Sequence, residues 1–421
     1  MRCLLVLFLP AFVSTMSLPP DIAPSPPRVL GLGSAGVDFI ALVDRYPEPD
    51  AKIRTESLEV VGGGNCGNTL TCVSRLGLHA SIVTKVGADA NGRLILDGLR
   101  AEGVDTSLCY VSAATLSPFT YVIVDREAGT RTCIHTPQTE ELLPEEINDD
   151  MLLGGASSGE TSSGGGPVAA VHLCGRHTAA AVALARAANR LGIPVVLDAE
   201  KDRPHFRELL PLADVIVANK GFPSAFTGRP DRIDAMSALL DVGRAKFVIS
   251  TLGEQGSVLL HRAELPWPGF ADSPARSDAP AAATAAAAAA TSVTAAAAAA
   301  ASDAALSSLA PAVLVEPRRA DGRGVLRCPA WPVAAADVVD TTGAGDAFIG
   351  AVIYGLVHQL PAAQFLALAS LVAARKLRAP GARAGLPTAM EAAAYCPGLM
   401  DAAPKAPVGA RALPPELARS A

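Results

Sequence analysis

Short apolar runs rich in Val, Ile and Leu recur along the chain, and most of them end in a Gly, Asp or Asn. These runs are RVLGLG, HASIVTKVG, VAAVHLCG, IPVVLDAE, ADVIVANK, KFVISTLG and VAAADVVDTTG. Several are separated by amphipathic stretches of helical length, such as NGRLILDGLRAEG and HTAAAVALARAANRLG. Buried strands that alternate with helices predict an α/β fold, with a mostly parallel central sheet flanked by helices.

A second type of strand alternates polar and apolar residues. It occurs in KIRTESLEVV and in the pair FTYVIVD and TRTCIHT, which REAG joins. Such alternation predicts antiparallel strands with one face exposed to solvent. We expect these strands to form a small β-sheet lid over the strand ends, where open α/β sheets bind their ligands.

Other segments divide the 421-residue chain. Residues 1–27 contain one arginine and then an apolar run, which is typical of a targeting segment or an N-terminal extension. Gly- and Ser-rich residues 154–167 predict a flexible loop, and alanine-rich residues 272–310 predict a low-complexity insert with little to bury. We therefore assign residues 28–390 to one domain and residues 391–421 to a C-terminal tail.

Composition argues against several kinds of partner. The 35 Lys and Arg and 41 Asp and Glu give a net charge of −6 without a basic stripe, so we expect no nucleic acid partner. The N-terminal apolar run is too short to span a membrane, so we expect no membrane partner. Eight cysteines without a Cys-x-x-Cys pair argue against structural zinc and favour a reducing compartment such as the cytoplasm. The N-terminal segment leaves a plastid or another organelle open.

The motif GLGSAG at residues 31–36 fits the G-x-G-x-x-G pattern of dinucleotide-binding proteins. That pattern requires a helix next, whereas VDFIALVDRYPEP is β-rich and ends at two prolines. The motif is therefore weak support for a nicotinamide cofactor. Asp38, inside this apolar strand, needs either an internal donor or the hydroxyls of a polar ligand.

Glycines also precede two asparagines in GGGNCGNTLTCVSRLG, residues 62–77. Glycines allow the backbone to approach a ligand closely, and the amides of Asn65 and Asn68 suit sugar hydroxyls. The structural alternative is a glycine turn in which Asn caps a helix. The segment STLGEQGSVLL predicts a strand, a glycine turn and a second strand, and needs no function by itself.

The segment DTTGAGDAFIGAVIYGL follows the predicted strand AADVVD. Gly343 and Gly345 permit a tight turn into a helix whose first N–H groups suit an anion such as a terminal phosphate. A carboxylate at Asp346 would repel that phosphate unless it had a separate task, such as accepting a proton from an attacking hydroxyl. The alternative is that Thr342 or Asp346 only caps the helix.

These motifs resemble those of the PfkB, or ribokinase-like, carbohydrate kinases. DTTGAGDAFIGAVI is similar to the C-terminal motif of that family at every position, and GGNCGN resembles the N-terminal motif, with Cys66 in place of a smaller residue. The resemblance covers about residues 28–390 apart from the two insertions. It is closest to ketohexokinase, through VDFIALVDRYPEPDAKIR, GGNCGN and VHLCGRHTA. It implies a ribokinase-like fold, and a kinase of the ketohexokinase, fructokinase or ribokinase type that uses ATP and Mg²⁺ to phosphorylate a hydroxyl of a small sugar.

The resemblance also implies roles for individual residues. Asp346 would be the catalytic base, with a backbone anion hole at Gly343, Ala344 and Gly345. The residues that would hold the sugar are Asp38, Gly64, Asn65 and Asn68. Those that would line the nucleotide site are Asn219, Thr251, Gly253 and Gly256. A monovalent cation such as K⁺ would lie between Asp340, Thr342 and the backbone near Gly381 and Gly385.

Two positions depart from the family. Phe222 replaces the acid of an N-x-x-E motif linked to Mg²⁺, an acid that ketohexokinase also lacks, and Cys174 replaces an acid that precedes Gly-Arg. Two other functions stay open, a nucleoside kinase on the same fold and a catalytically silent scaffold protein. The intact GAGD element argues against the scaffold. The lid is also a candidate surface for a homodimer.

Overall fold

The computed structural model describes residues 26–153, 168–263 and 311–395. The glycine–serine loop, the alanine-rich insert and almost all of the N-terminal segment, for which we made sequence-based predictions, lie outside these residues. The last helix, Ala389–Tyr395, runs across the predicted domain boundary at residue 390. Nearly all of the predicted C-terminal tail lies outside the described residues.

The strands within the described residues are β1 (Arg28–Leu32), β2 (Gly36–Val43), β3 (Ser57–Gly63), β4 (His79–Val83), β5 (Lys85–Gly87), β6 (Val104–Asp105), β7 (Tyr110–Ser112), β8 (Phe119–Asp125), β9 (Thr130–Thr136), β10 (Val168–Leu173), β11 (Val195–Ala199), β12 (Val215–Ala218), β13 (Phe247–Thr251), β14 (Ser257–His261), β15 (Leu314–Val315) and β16 (Gly324–Cys328). The helices are α1 (Asn65–Arg75), α2 (Ala90–Ala101), α3 (Asp150–Leu153), α4 (Thr178–Arg190), α5 (Phe206–Leu209), α6 (Phe222–Thr227), α7 (Arg232–Val242), α8 (Ala344–Val357), α9 (Ala362–Lys376) and α10 (Ala389–Tyr395).

A ten-stranded central sheet has the order β15-β16-β14-β13-β12-β11-β10-β1-β4-β6. The strands from β13 to β6 pair in parallel, and β14, β16 and β15 add antiparallel pairs at one edge. Neighbouring residues of one strand face opposite helix layers: Val29 packs with the core that includes α1, α8 and α9, and Leu30 with the core that includes α4 and α7. The predicted α/β fold with a mostly parallel sheet is confirmed.

The three predicted lid strands, β3, β8 and β9, form a separate four-stranded sheet together with β2, in the order β3-β2-β8-β9. In its register, Asp38 of β2 lies opposite Thr120 of β8, and Thr120 lies opposite His135 of β9. Side chains of a strand alternate between its faces, so these three residues share one face of the lid. No helix within the described part of the chain is long and apolar enough to cross a membrane.

The prediction of a strand that leads into the GAGD turn is wrong. Residues 335–337 form a 3₁₀ turn, and Val338 and Val339 are exposed rather than paired in the sheet. The N–H groups of Val339 and Asp340 both donate to the carbonyl of Leu377, at the end of α9. The antiparallel edge strands β15 and β16 were not predicted from the sequence.

Candidate active site

The candidate site lies at the carboxyl ends of the parallel strands, beneath the lid. Gly33 and Ser34 follow β1, Cys174 follows β10, and Asp198 lies near the end of β11. Because these strands are neighbours in the sheet, their ends bring these residues to one edge. The GAGD turn approaches the same edge at the start of α8.

Gly343 makes the turn into α8. Its φ of 74° lies in the left-handed region, and a Cβ there would come within 2.6 Å of the Cβ of Ala382. Any larger residue would therefore be strained and would clash. Next to it, a Cβ at Gly345 would meet nothing within 4 Å, so the first turn of the helix borders open space. The N–H of Ala344 donates to the carbonyl of Thr341 at 3.3 Å. The remaining N–H groups of the first turn lack intrahelical partners, which is the arrangement that suits an anion.

Asp346 lies in the first turn of α8 and is only 9% exposed. Its Oδ2 accepts a hydrogen bond of 2.9 Å from Nδ2 of Asn68. The carbonyl oxygen of Asn68 in turn accepts a hydrogen bond of 3.0 Å from Nε of buried Arg383. A chain of contacts thus links a cation to the predicted catalytic base through the predicted sugar ligand Asn68.

Glycines in the loop before α1 and in the first turn of α1 make room for this arrangement. A Cβ at Gly62 would lie 2.2 Å, and one at Gly67 2.7 Å, from a guanidinium nitrogen of Arg383. A Cβ at Gly63 would lie 2.5 Å from the carboxylate of Asp38. Gly64 has a φ of 84° and precedes the first residue of α1. We expected these glycines to allow close approach of a ligand, and in the structure they allow close approach of two charged side chains.

Burial dominates the electrostatics of Asp346. It raises the pKa of this carboxyl to about 7, the negative charges of Glu200 and Cys174 add to the rise, and the contacts with Asn68 and Arg383 oppose it. A base with a pKa near 7 is matched to proton transfer at neutral pH. Burial lowers the pKa of Arg383 to about 10, so its guanidinium stays cationic at neutral pH.

Two further carboxylates face the same space. Burial raises the pKa of Asp38, and a hydrogen bond with Thr120 and the charge of Arg383 oppose this rise. Asp198 is buried, and burial together with Glu200 and Asp346 raises its pKa well above the ordinary value. The predicted sugar ligand Asn65 donates from Nδ2 to Oδ2 of Asp198 at 3.4 Å.

A cavity of about 780 Å³ adjoins the GAGD turn. It brings together three predicted nucleotide-site residues and two residues of the predicted anion hole: Thr251, Gly253, Gly256, Ala344 and Gly345. Much of the remaining wall is apolar, with Trp331, Val333, Phe348, Ala373, Ala374 and Leu377. The structure therefore places the predicted nucleotide loop beside the predicted catalytic turn.

Asn219 does not line this cavity. Its Oδ1 accepts hydrogen bonds from the N–H groups of Gly221 and Phe222 at 3.1 and 2.9 Å, at the start of α6. The side chain of Phe222 is buried and stacks on Phe226 with ring centroids 5.1 Å apart. The position that departs from the family thus serves an aromatic cluster.

Cys174, the second departure, accepts a hydrogen bond of 3.2 Å from the N–H of Ser34. A hydrogen bond with the Cys66 thiol is the largest of the contributions that lower the pKa of Cys174 to about 6. This lowered pKa favours the thiolate form of Cys174, at the position where the family has an acid. A Cβ at Gly33 would lie 2.2 Å from this sulfur, so that glycine of GLGSAG serves packing, and the strand β2 follows the motif instead of a helix.

The predicted cation residues are also close together. Oδ1 of Asp340 accepts hydrogen bonds from the N–H and hydroxyl of Thr342 at 2.9 and 2.7 Å. Sequence reasoning missed three residues of this region, Arg383, Lys376 and Asp198. Asp198 carried a signal, since it is an acid near the end of a predicted strand. Arg383 and Lys376 follow patterns that are ordinary for a loop and a helix end.

The sequence model of the pfkB family carbohydrate kinases matches residues 27–307 and 310–389 of the chain. The chain is 31% identical to an ATP-dependent ribose-1-phosphate kinase of Halopiger xanaduensis over 195 residues, 46% of this chain and 61% of that relative, less than two thirds of its length. The solved ribokinase of Arabidopsis thaliana with ribose and ATP superposes with a TM-score of 0.64 at 21% identity, covering 90% of this chain and 99% of that one. The nucleoside kinase of Burkholderia thailandensis with inosine gives 0.56 at 21% identity, covering 87% and 96%. The two structural matches show the ribokinase-like fold, and none of the three proteins is named a ketohexokinase.

Proposed function

The chain belongs to the pfkB family of carbohydrate kinases, and we propose that it transfers the γ-phosphoryl group of ATP to a hydroxyl of a small sugar. The observation that carries this proposal is Asp346. It is a buried carboxylate with a pKa near 7, at the start of a helix that opens onto a cavity of about 780 Å³. That combination suits a general base placed beside an anion site.

The acceptor hydroxyl is held between Asp38, Asn65 and Asp346. Asp346 accepts the hydroxyl proton while the hydroxyl oxygen bonds to the γ-phosphorus and the bond from that phosphorus to the β,γ-bridging oxygen breaks, which releases ADP. The N–H groups at Gly343–Gly345 stabilise the charge on the transferring group. The contact with Asn68 fixes the Asp346 side chain.

ATP occupies the cavity between the Thr251–Gly256 turn and α8. The apolar side chains of Trp331, Phe348 and Leu377 contact the base, and the opening at Gly345 receives the phosphates. The polar side chains in the wall are those of Thr251, Glu254, Thr341 and Ser370, and the cavity volume lies in the range typical of small-molecule sites.

Mg²⁺ fits the carboxylates at this edge of the sheet. Burial, and then the charges of Glu200 and Asp346, raise the pKa of Asp198, and a divalent cation would offset this negative charge. Asp198 and Glu200 would hold the ion in place of the acid missing at Phe222. When bound, Mg²⁺ neutralises charge on the phosphate oxygens.

A ketose such as fructose, phosphorylated at its 1-hydroxyl, is our first choice of acceptor because of the resemblance of VDFIALVDRYPEPDAKIR, GGNCGN and VHLCGRHTA to segments of ketohexokinase. Ribose and nucleosides are alternatives, as in the ribokinase and the nucleoside kinase that this fold resembles.

A homodimer through the lid is the proposed assembly. Val60, Tyr121 and Ile134 are each about half exposed, and together with Phe39 they lie in one row across the four lid strands, on the face opposite Asp38. Light scattering should give twice the chain mass for the parent protein and the chain mass for Tyr121→Asp. A parent that is monomeric at micromolar concentration would contradict the dimer.

ADP release tests the proposed activity. The purified protein with Mg-ATP is incubated separately with fructose, ribose, ribose 1-phosphate and inosine, and the phosphorylated product is identified by mass spectrometry. We expect one class of acceptor to release ADP and Asp346→Asn to abolish most of that release. ATP binding without transfer to any acceptor would instead favour the catalytically silent scaffold.

A further inference from the structure

Lys376 is the last residue of α9 and is fully buried, with 0% of its surface exposed. Lysine is almost never fully buried unless its charge is compensated. The helix that carries it is otherwise mostly apolar, and its C-terminal carbonyls carry partial negative charge, which favours a cation there. The buried ammonium therefore needs hydrogen-bond acceptors in direct contact with it.

The partners are backbone carbonyls of two different segments. Nζ of Lys376 donates to the carbonyl of Asp340 at 2.7 Å and to that of Ala379 at 3.5 Å. Asp340 precedes the GAGD turn, and Ala379 begins the loop that leads to Arg383. Backbone carbonyl oxygens are also the groups that bind K⁺ in proteins, so the ammonium occupies an environment that would suit that ion.

The side chain of Asp340 is engaged as well. Its Oδ1 accepts hydrogen bonds from Thr342 and from Arg131 of the lid, and its Oδ2 accepts one of 2.9 Å from the N–H of Gly381. Gly381 thus presents a donor, not a carbonyl, to this carboxylate. Arg131 forms an ion pair with this carboxylate, and the Lys376 ammonium binds the backbone carbonyl of the same residue.

Gly385, the second glycine of the expected cation site, packs against the same end of α9. A Cβ at Gly385 would lie 2.5 Å from the carbonyl oxygen of Lys376, so the loop packs directly on the last turn of α9. The expected K⁺ site between Asp340, Thr342 and the backbone near Gly381 and Gly385 therefore does not fit the residues present. All three oxygens of Asp340 already accept hydrogen bonds from protein donors.

We propose that the Lys376 ammonium is a built-in cation that replaces the monovalent ion of this site and joins the GAGD turn to the 379–385 loop. Lys376 is a positioning residue, since it holds the turn that presents Asp346 and the helix N–H groups. The protein is consequently independent of K⁺. The effect on catalysis rests on the proposed kinase function, whereas the effect on stability does not.

The test compares 100 mM potassium chloride with 100 mM choline chloride by melting temperature and by the initial rate of ADP release. The parent protein should have the same Tm in both salts and rates that agree within about twofold. Lys376→Ala, which removes the ammonium and leaves space for an ion, should lose roughly tenfold or more in rate because the turn is misplaced. It should also have a lower Tm that K⁺ raises and choline does not.

Arg378→Ala is the matched control, because it removes an exposed cation two residues away whose partner is Asp337. Its Tm and its rate of ADP release should, like those of the parent, be the same in both salts. A parent whose Tm or rate rises several-fold more with K⁺ than with choline would overturn the proposal. If Lys376→Ala does not fold, the parent comparison still decides, and the Tm comparison decides even if no acceptor is phosphorylated.

Discussion

At the proposed sugar end of the cleft the polar side chains are buried and bonded to one another, whereas the proposed nucleotide end is walled mainly by apolar side chains and backbone. Asp346, Asn68 and Arg383 form a connected set before any substrate arrives. The cavity beside Trp331 and Phe348 offers volume instead. In the proposed function, preorganised charge at one end would serve the chemistry, and shape at the other end would serve nucleotide binding.

The largest expected effect is at the polar end. Asp346→Asn should lower kcat by roughly 10²- to 10⁴-fold, the usual contribution of a positioned acid–base group. ATP binding should persist or tighten, because a negative charge beside the γ-phosphate is removed. Kinetics and ATP titration by calorimetry measure both quantities.

The exposed residue Asp337 provides the control, since Asp337→Asn changes a carboxylate that only pairs with Arg378. It should leave kcat unchanged. An Asp346→Asn variant that folds, binds ATP and turns over sugar near the parental rate would contradict the mechanism. If Asp346 only capped the helix, its replacement by Asn would cost little, because Asn caps about as well as Asp.

Asn68→Ala should reduce kcat/KM for the sugar by roughly 10- to 100-fold, the cost of losing hydrogen bonds to charged groups. The KM for ATP should change much less, because Asn68 contacts Asp346 and Arg383 and does not line the nucleotide cavity. Asn189→Ala, which removes an amide bonded to Leu212 elsewhere in the fold, is the control. Equal effects on both substrates would show that Asn68 only supports the fold.

The activity should depend on pH through Asp346. The base must be ionised, so kcat/KM should fall about tenfold per pH unit below a pKa near 7, which burial sets against the opposing contacts with Asn68 and Arg383. The free energy of unfolding should change with pH in the opposite direction to the activity. The folded pKa lies above the unfolded value, so the stabilisation present below pH 4 is lost as pH rises through 7.

The Tm of Asp346→Asn minus that of the parent should therefore increase from pH 5 to pH 8. Glu200 and Cys174 also face this carboxyl and raise its pKa. A flat pH profile between 5.5 and 8 would mean that Asp346 does not titrate as the base.

The central sheet and the GAGD turn could be predicted from the sequence because both are encoded locally. Runs of β-branched residues specify buried strands, and Gly343 specifies a left-handed turn. Arg383 could not be predicted, since its partner Asn68 is 315 residues away in the sequence. Lys376 occupies the last turn of a helix, where a cation is common, and only the tertiary contact with Asp340 distinguishes it. The strand predicted over residues 335–340 does not form for a similar reason, since it depends on a distant contact. The N–H groups of Val339 and Asp340 donate to the carbonyl of Leu377 instead of pairing in the sheet.

The smallest expected effect is at the apolar end. Ala373 lines the nucleotide cavity, so Ala373→Leu adds three carbon atoms to a space of about 780 Å³ and should raise the KM for ATP by roughly 3- to 10-fold, the range expected when a pocket changes by a methylene or more. The KM for the sugar and the pH profile should stay as in the parent, because no member of the Asp346–Asn68–Arg383 set is touched. Gln364→Leu adds a leucine at an exposed position of the same helix and controls for helix stability. A rise in sugar KM equal to that for ATP would show that the two ends of the cleft do not act separately, and an unchanged ATP KM would place the nucleotide outside this cavity.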